Sequence, residues 1–215
     1  MTEILPASDE AALTKAVDLL KNGDVVVFPT DTIYGIGASI GQESGVNKIF
    51  EVKSRSPQKP IMIYVTTLEQ LQDFAREVQA STIESLQKIW PGGMAGIFFK
   101  KKDVVPSCVT SGKDTVAVRI PKHQLCLELV ERVGYPLAVT SANISSMETP
   151  KTAPEVATQL GEKVPLVLDG GPSPQHQAST LVDFTGSTAQ LLREGALPFS
   201  TLKQFIPDLE SVSSS

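Results

Sequence analysis

Short apolar runs alternate along this chain with stretches whose apolar residues recur at helical spacing, and that alternation restricts the fold to an interleaved α/β architecture. Val25-Val26-Val27-Phe28 reads as a buried strand. Before it, Ala12, Leu13, Ala16, Val17 and Leu20 form one helical stripe, with Ser8 placed to cap its start and Gly23 to end it. Val46, Ile49 and Phe50 mark a helix that ends near Lys53. Thr67-x-x-Gln70 and Ser81-x-x-Glu84 are capping boxes, and the second helix stops at Trp90-Pro91-Gly92-Gly93. Strands are expected over 96–99, 115–120, 137–140, 164–168, 180–184 and 190–193, and helices over 122–133 and from Pro154. Adjacent strands late in the chain predict a mixed, twisted sheet rather than a purely parallel one. With 41% hydrophobic residues in 215, the chain can bury one sizeable core. Residues 1–205 are therefore read as one domain, and 206–215 as a polar, disordered tail.

Bulk charge removes some function classes. The 19 basic and 24 acidic residues give a net charge of -5, which argues against a protein whose main task is to coat nucleic acid. No apolar stretch approaches the roughly 20 residues of a membrane helix and no signal peptide is visible, so a cytoplasmic chain with no membrane partner is expected. Cys108 and Cys126 lack CxxC spacing, and His123 and His176 stand far apart, so neither a disulfide nor a zinc site is expected. Cys108 has no recognisable histidine partner and is read as an inert thiol. The segment Phe28 to Ser39 carries Gly35-x-Gly37 after a strand, but Ile40 stands where a dinucleotide fingerprint needs its third glycine.

Strand periodicity selects the candidate chemistry. In "TVAVRIP", Thr115, Ala117 and Arg119 share one face, so a hydroxyl and a guanidinium are presented together. In "VTSANIS", Ser141 and Asn143 share a side as the strand runs out into a loop, where α/β sheets hold ligands. Turn hydrogen bonds alone would also explain that pair. Lys53, Arg55 and Lys59 form a basic run, although cations at a helix C-terminus are favoured without any ligand. Arg193 reads equally as a ligand or as a strand-end charge paired with Glu194.

Seven motifs in order, "PTDTIYGIG", "KSRSPQKP", "WPGG", "VAVRIP", "TSANIS", "ASTLVD" and "LLREG", resemble the YrdC family of threonylcarbamoyl-AMP synthases, from about Leu13 to Leu197. The resemblance implies a single-domain twisted α/β sheet with flanking helices around a basic cavity. It implies an enzyme that joins L-threonine, bicarbonate and ATP, with Mg²⁺ on the phosphates, into threonylcarbamoyl-adenylate and pyrophosphate. A separate transferase complex would carry the product to tRNA beside the anticodon, so contact with tRNA would be indirect. Motif by motif, the resemblance implies that Thr32, Tyr64, Arg119, Ser141 and Ser179 meet threonine. It likewise implies that Arg55, Lys59, Thr115, Asn143, Lys151 and Arg193 meet ATP. Lys53 and Arg55 would act electrostatically, with no protein nucleophile, because the attacking groups belong to the substrates.

Three positions depart from the family pattern. Tyr64 stands in place of a histidine, Gly93-Met94-Ala95 in place of Pro-Leu-Thr, and Ser146 in place of a glycine. Two competitors are a related domain handling a different carbamoyl-adenylate, as in hydrogenase maturation proteins, and an RNA-binding paralogue without synthase activity. The first normally carries zinc-finger-like cysteines that this sequence lacks.

Overall fold

The computed structural model describes residues 2–175 and 177–211. His176 lies outside them, as do residues 212–215 of the expected tail. The chain runs β1 (Glu3–Pro6), α1 (Glu10–Lys21), β2 (Val26–Phe28), β3 (Gly35–Ser39), α2 (Glu43–Lys53), β4 (Met62–Tyr64), α3 (Leu71–Phe74), β5 (Ala75–Arg76) and α4 (Ala80–Ile89). It continues with β6 (Met94–Lys100), α5 (Ser107–Thr110), β7 (Thr115–Arg119), α6 (Gln124–Val133), β8 (Leu137–Ser141), α7 (Ala153–Leu160), β9 (Leu166–Asp169), β10 (Thr180–Asp183), β11 (Gln190–Arg193), α8 (Phe199–Leu202) and β12 (Glu210–Ser211).

These strands form one sheet in the order β1-β9-β2-β3-β8-β4-β7-β6-β10-β11-β12, with β5 pairing β6 to one side. The sheet is mixed, as expected: β4 with β7 and β6 with β10 are parallel, while β3 with β8 and β6 with β7 are antiparallel. On one face, α1 and α6 cover Val26, Phe28, Leu137, Val139, Leu166 and Leu168. In α6, Leu125, Cys126, Leu129, Val130 and Val133 fall on one stripe, each fully or almost fully buried. Each such Leu or Val contributes roughly 1.5–3 kcal/mol of transfer free energy. The other core gathers residues of α2, α4 and α7 with the opposite strand faces, including Val27, Ile36, Ile63 and Val118.

Several boundaries differ from expectation for identifiable reasons. Asp9, not Ser8, caps α1, its carboxylate accepting from Ala11 N. Ser81 lies inside α4, which starts one residue earlier with no side-chain cap. Thr67 Oγ1 does accept from Gln70 N, but the helix it introduces is a single turn. The polar-tail expectation fails over 206–211: Ile206 and Leu209 are buried, and β12 pairs in parallel with β11. Two apolar anchors spaced three apart offset the ordering cost of that segment. Gly35 and Gly37 belong to β3, where a Cβ would come within 2.9 Å of Val139 Cγ1 and 2.7 Å of Phe28 Cε1 respectively. Both glycines therefore serve close packing within the sheet.

Candidate active site

The turn between β2 and β3 is shaped by its own threonines. Thr30 Oγ1 donates to Ile33 O at 2.7 Å and accepts from Thr32 N at 3.1 Å, which turns the buried Thr32 side chain towards β7. There it meets Arg119, which has no solvent exposure at all. The Arg119 Nη1 donates to Thr32 Oγ1 (3.3 Å), Tyr64 OH (3.2 Å) and Ser179 Oγ (2.5 Å). Its Nε donates to Gly92 O (2.8 Å), and Nη2 pairs with Asp31 Oδ1 at 2.6 Å. Four segments thus converge on one guanidinium: the turn, β4, the loop after α4, and the loop before β10. A buried cation is tolerated because a carboxylate and several oxygens surround it.

A cavity of about 400 Å³ opens beside this cluster. Thr32, Tyr64, Ser141 and Ser179 line it, and so do Arg55, Lys113 and Arg193. Ser179 joins the groups: its side chain accepts from Arg119, and its carbonyl accepts from Arg193 Nη2 at 2.8 Å. Arg55 is braced by the carbonyls of Lys59 (3.2 Å) and Pro60 (2.9 Å). Among the described residues, neither Arg55 nor Arg193 has a carboxylate within ion-pair distance. Desolvation lowers the pKa of both guanidinium groups, and the charge of Arg193 adds to the effect on Arg55. Two cations with no such partner among the described residues, facing one concavity, have the chemistry to receive an anion. Arg193 therefore does not pair with Glu194, whose carboxylate accepts from Phe199 N instead.

Other candidates fall beside this cavity or away from it. Thr115 is half-buried on the β7 face that carries Ala117 into the lining. Asn143 is held behind Ser141, whose hydroxyl donates to Asn143 Oδ1 at 2.5 Å. Lys59 contributes its carbonyl to Arg55, and its own side chain is exposed. Lys53 points inward: the residue is 1% exposed, and its Nζ donates to Ser141 O, Asn143 O and Asn143 Oδ1. Lys151 lines a separate surface pocket with Met147, Pro154 and Glu155, so the structure does not bring it to the others. Tyr64 OH accepts from Arg119 and keeps its own proton to donate, and burial pushes its pKa up to about 12. Burial raises the Cys108 thiol, in keeping with an inert role.

Sequence reasoning missed two residues of this assembly. Asp31 sits inside the quoted "PTDT" and supplies the carboxylate for Arg119. Lys113 stands two residues before Thr115, so extending the period-two face of β7 one step back would have found it.

Residues 18–195 match the Sua5/YciO/YrdC family model, which is described as "Telomere recombination". The threonylcarbamoyl-AMP synthase of Pyrococcus abyssi is 36% identical over 201 residues, covering 94% of this chain and 59% of its own length. That of Bacillus subtilis is 33% identical over 191 residues, covering 89% of this chain and 55% of its own. This chain thus spans a little over half the length of those two relatives. The threonylcarbamoyl-AMP synthase of Klebsiella pneumoniae is 32% identical over 186 residues and is covered over 96% of its length. Among solved structures, P. abyssi Sua5 complexed with L-threonine superposes with a TM-score of 0.93 at 35% identity, over 98% of this chain and 62% of that one. E. coli YciO superposes with a TM-score of 0.81 at 23% identity, a likeness of fold. With a fold, a motif order and a family match that coincide over most of its length, the chain belongs to the Sua5/YciO/YrdC family.

Proposed function

We propose that this protein is an L-threonylcarbamoyladenylate synthase acting on L-threonine, bicarbonate and MgATP. One observation carries the reading: a single cavity has a hydroxyl-rich end built on Arg119 and a cationic wall of Arg55 and Arg193 that has no carboxylate partner among the described residues. A small zwitterion with its own hydroxyl suits the first, and a triphosphate suits the second. The relatives named threonylcarbamoyl-AMP synthase, and the threonine complex of P. abyssi Sua5, support the same choice.

In this reading Thr32, Tyr64, Ser179 and Arg119 orient the amino acid. Its amine captures carbon dioxide derived from bicarbonate to give a carbamate and a proton. A carbamate oxygen then attacks the α-phosphorus of ATP, the bond to the β-phosphate oxygen breaks, and pyrophosphate leaves. Arg55 and Arg193, with Lys113 in the lining and the exposed Lys59 nearby in sequence, would hold the phosphates and offset the charge that develops on the leaving group. Ser141, backed by Asn143, would bridge the two substrates, and the product is suited to transfer onto tRNA by a partner complex. The chemistry belongs to a nucleotidyltransferase.

The test is pyrophosphate release from MgATP with and without L-threonine and bicarbonate. Release that needs both is the expected result. Folded protein that binds ATP yet releases nothing under any combination would overturn the assignment.

A further inference from the structure

Lys53 and Arg55 lie two residues apart, but the backbone sends them in opposite directions. The helix α2 ends at Lys53, and Ser54 takes a left-handed conformation (φ 50°, ψ 42°), after which Arg55 N returns to Phe50 O. That reversal carries Arg55 into the cavity lining and leaves Lys53 on the inner side of the helix end. An ammonium has three N–H donors. All three find oxygens where β8 runs out into its loop: Ser141 O, Asn143 O at 2.5 Å and Asn143 Oδ1 at 3.2 Å. The backbone closes the same junction, with Ser145 N donating to Lys53 O at 2.8 Å.

The remaining bonds of the loop explain why such a post is needed. The Asn143 amide nitrogen donates to Ile144 O (3.0 Å) and Met147 O (2.8 Å), and its oxygen accepts from both Ser141 and Lys53. The loop therefore turns on Asn143, and the inward carbonyls of residues 141 and 143 would face a buried region without donors if Lys53 were absent. We propose that Lys53 is a positioning residue: it fixes the end of β8 and the loop that follows, and through Asn143 it sets the Ser141 hydroxyl that lines the cavity, and it does not itself ligate phosphate. This inference rests on the synthase reading for its functional consequence but on the loop geometry for its substance. Burial, reinforced by the neighbouring charge of Arg55, holds the Lys53 pKa down to about 7, a poor setting for a group meant to neutralise phosphate.

Two experiments separate a post from a ligand. In the wild-type protein, amine acetylation should leave Lys53 unmodified with and without MgATP, while the exposed Lys59 and Lys113 react in the free protein. Labelling of Lys53 in the free protein that MgATP suppresses would overturn the proposal. In Lys53→Met, which keeps the stem and removes the donors, the dissociation constant for MgATP should stay within about threefold while turnover falls at least tenfold. Amide exchange over 141–147 should accelerate in the same variant. A tenfold loss of MgATP affinity with unchanged exchange over 141–147 would refute the positioning role. The acetylation, affinity and exchange readouts need no turnover, so they decide the matter even if the wild-type protein releases no pyrophosphate.

Discussion

Removing the Asp31 carboxylate should destabilise the protein far more than removing any surface acid. Arg119 is wholly buried and Asp31 is 14% exposed, so the pair at 2.6 Å lies almost entirely out of water. Breaking a buried pair from one side costs about 3–5 kcal/mol, because an uncompensated charge is left behind. Here Arg119 retains Gly92 O and the oxygens of Thr32, Tyr64 and Ser179, and water can reach the vacated carboxylate position. The lower end of that range applies to Asp31→Ala, about 3 kcal/mol. For a chain of this length that corresponds to a fall in Tm of about 6–12 °C. Asp31→Asn retains an oxygen acceptor and should lose about half as much.

The assay is thermal melting at low and high salt. Screening acts on exposed charges over a Debye length of about 8–10 Å and barely reaches a buried pair, so the Asp31→Ala deficit should persist at high salt. Glu10, paired with Arg132 in the open, provides the control: Glu10→Ala should lower Tm far less than Asp31→Ala, and that small deficit should shrink with salt. A Tm for Asp31→Ala within about 2 °C of wild type, or a deficit abolished by salt, would refute the argument that this pair holds the amino-acid end together.

Arg55→Ala should weaken MgATP binding roughly 10–100-fold without lowering Tm, since each charge-assisted contact to phosphate is worth about 1.5–3 kcal/mol and Arg55 has no carboxylate partner to strand; calorimetric titration and melting read the two effects. Ser146 adopts φ 72°, where a side chain is strained, so Ser146→Gly should raise stability by about 0.5–1 kcal/mol in denaturant unfolding. Tyr64 does not titrate between pH 6 and 9 because burial pushes its pKa up to about 12. Tyr64→His should introduce a step in threonine affinity below about pH 6.5, since burial and Arg119 both depress an imidazole there. The Lys53 pKa is lowered from 10.5 to about 7, so between those values the unfolded chain binds more protons and stability rises with pH. Wild type should therefore gain about 2 kcal/mol over Lys53→Met from pH 7 to pH 9 in urea unfolding.

What the sequence discloses about this site follows from the range over which its signals act. Period-two alternation is a local rule: it holds for Thr115 and Arg119 on β7, whereas β8 ends at Ser141 and leaves Asn143 in the loop beyond it, where the rule no longer applies. The same rule reaches Lys113 with one more step. The short strands β1, β3 and β4 escape it for another reason: three to five residues carry too little pattern, and only pairing with distant strands selects their extended form. The direction of a long side chain is less local still. Lys53 and Arg55 form one basic run in the sequence, yet a single left-handed residue between them decides which meets the cavity and which meets the loop. Lys151 is a similar case, because the course of the chain after β8 leaves it lining a separate surface pocket. Asp31 was in plain sight, but its role exists only once β7 brings a guanidinium against the turn. A charge is read from composition; whether it is spent on a neighbour or left for a substrate is a property of tertiary contacts, and in this cavity that distinction separates Arg119 from Arg55.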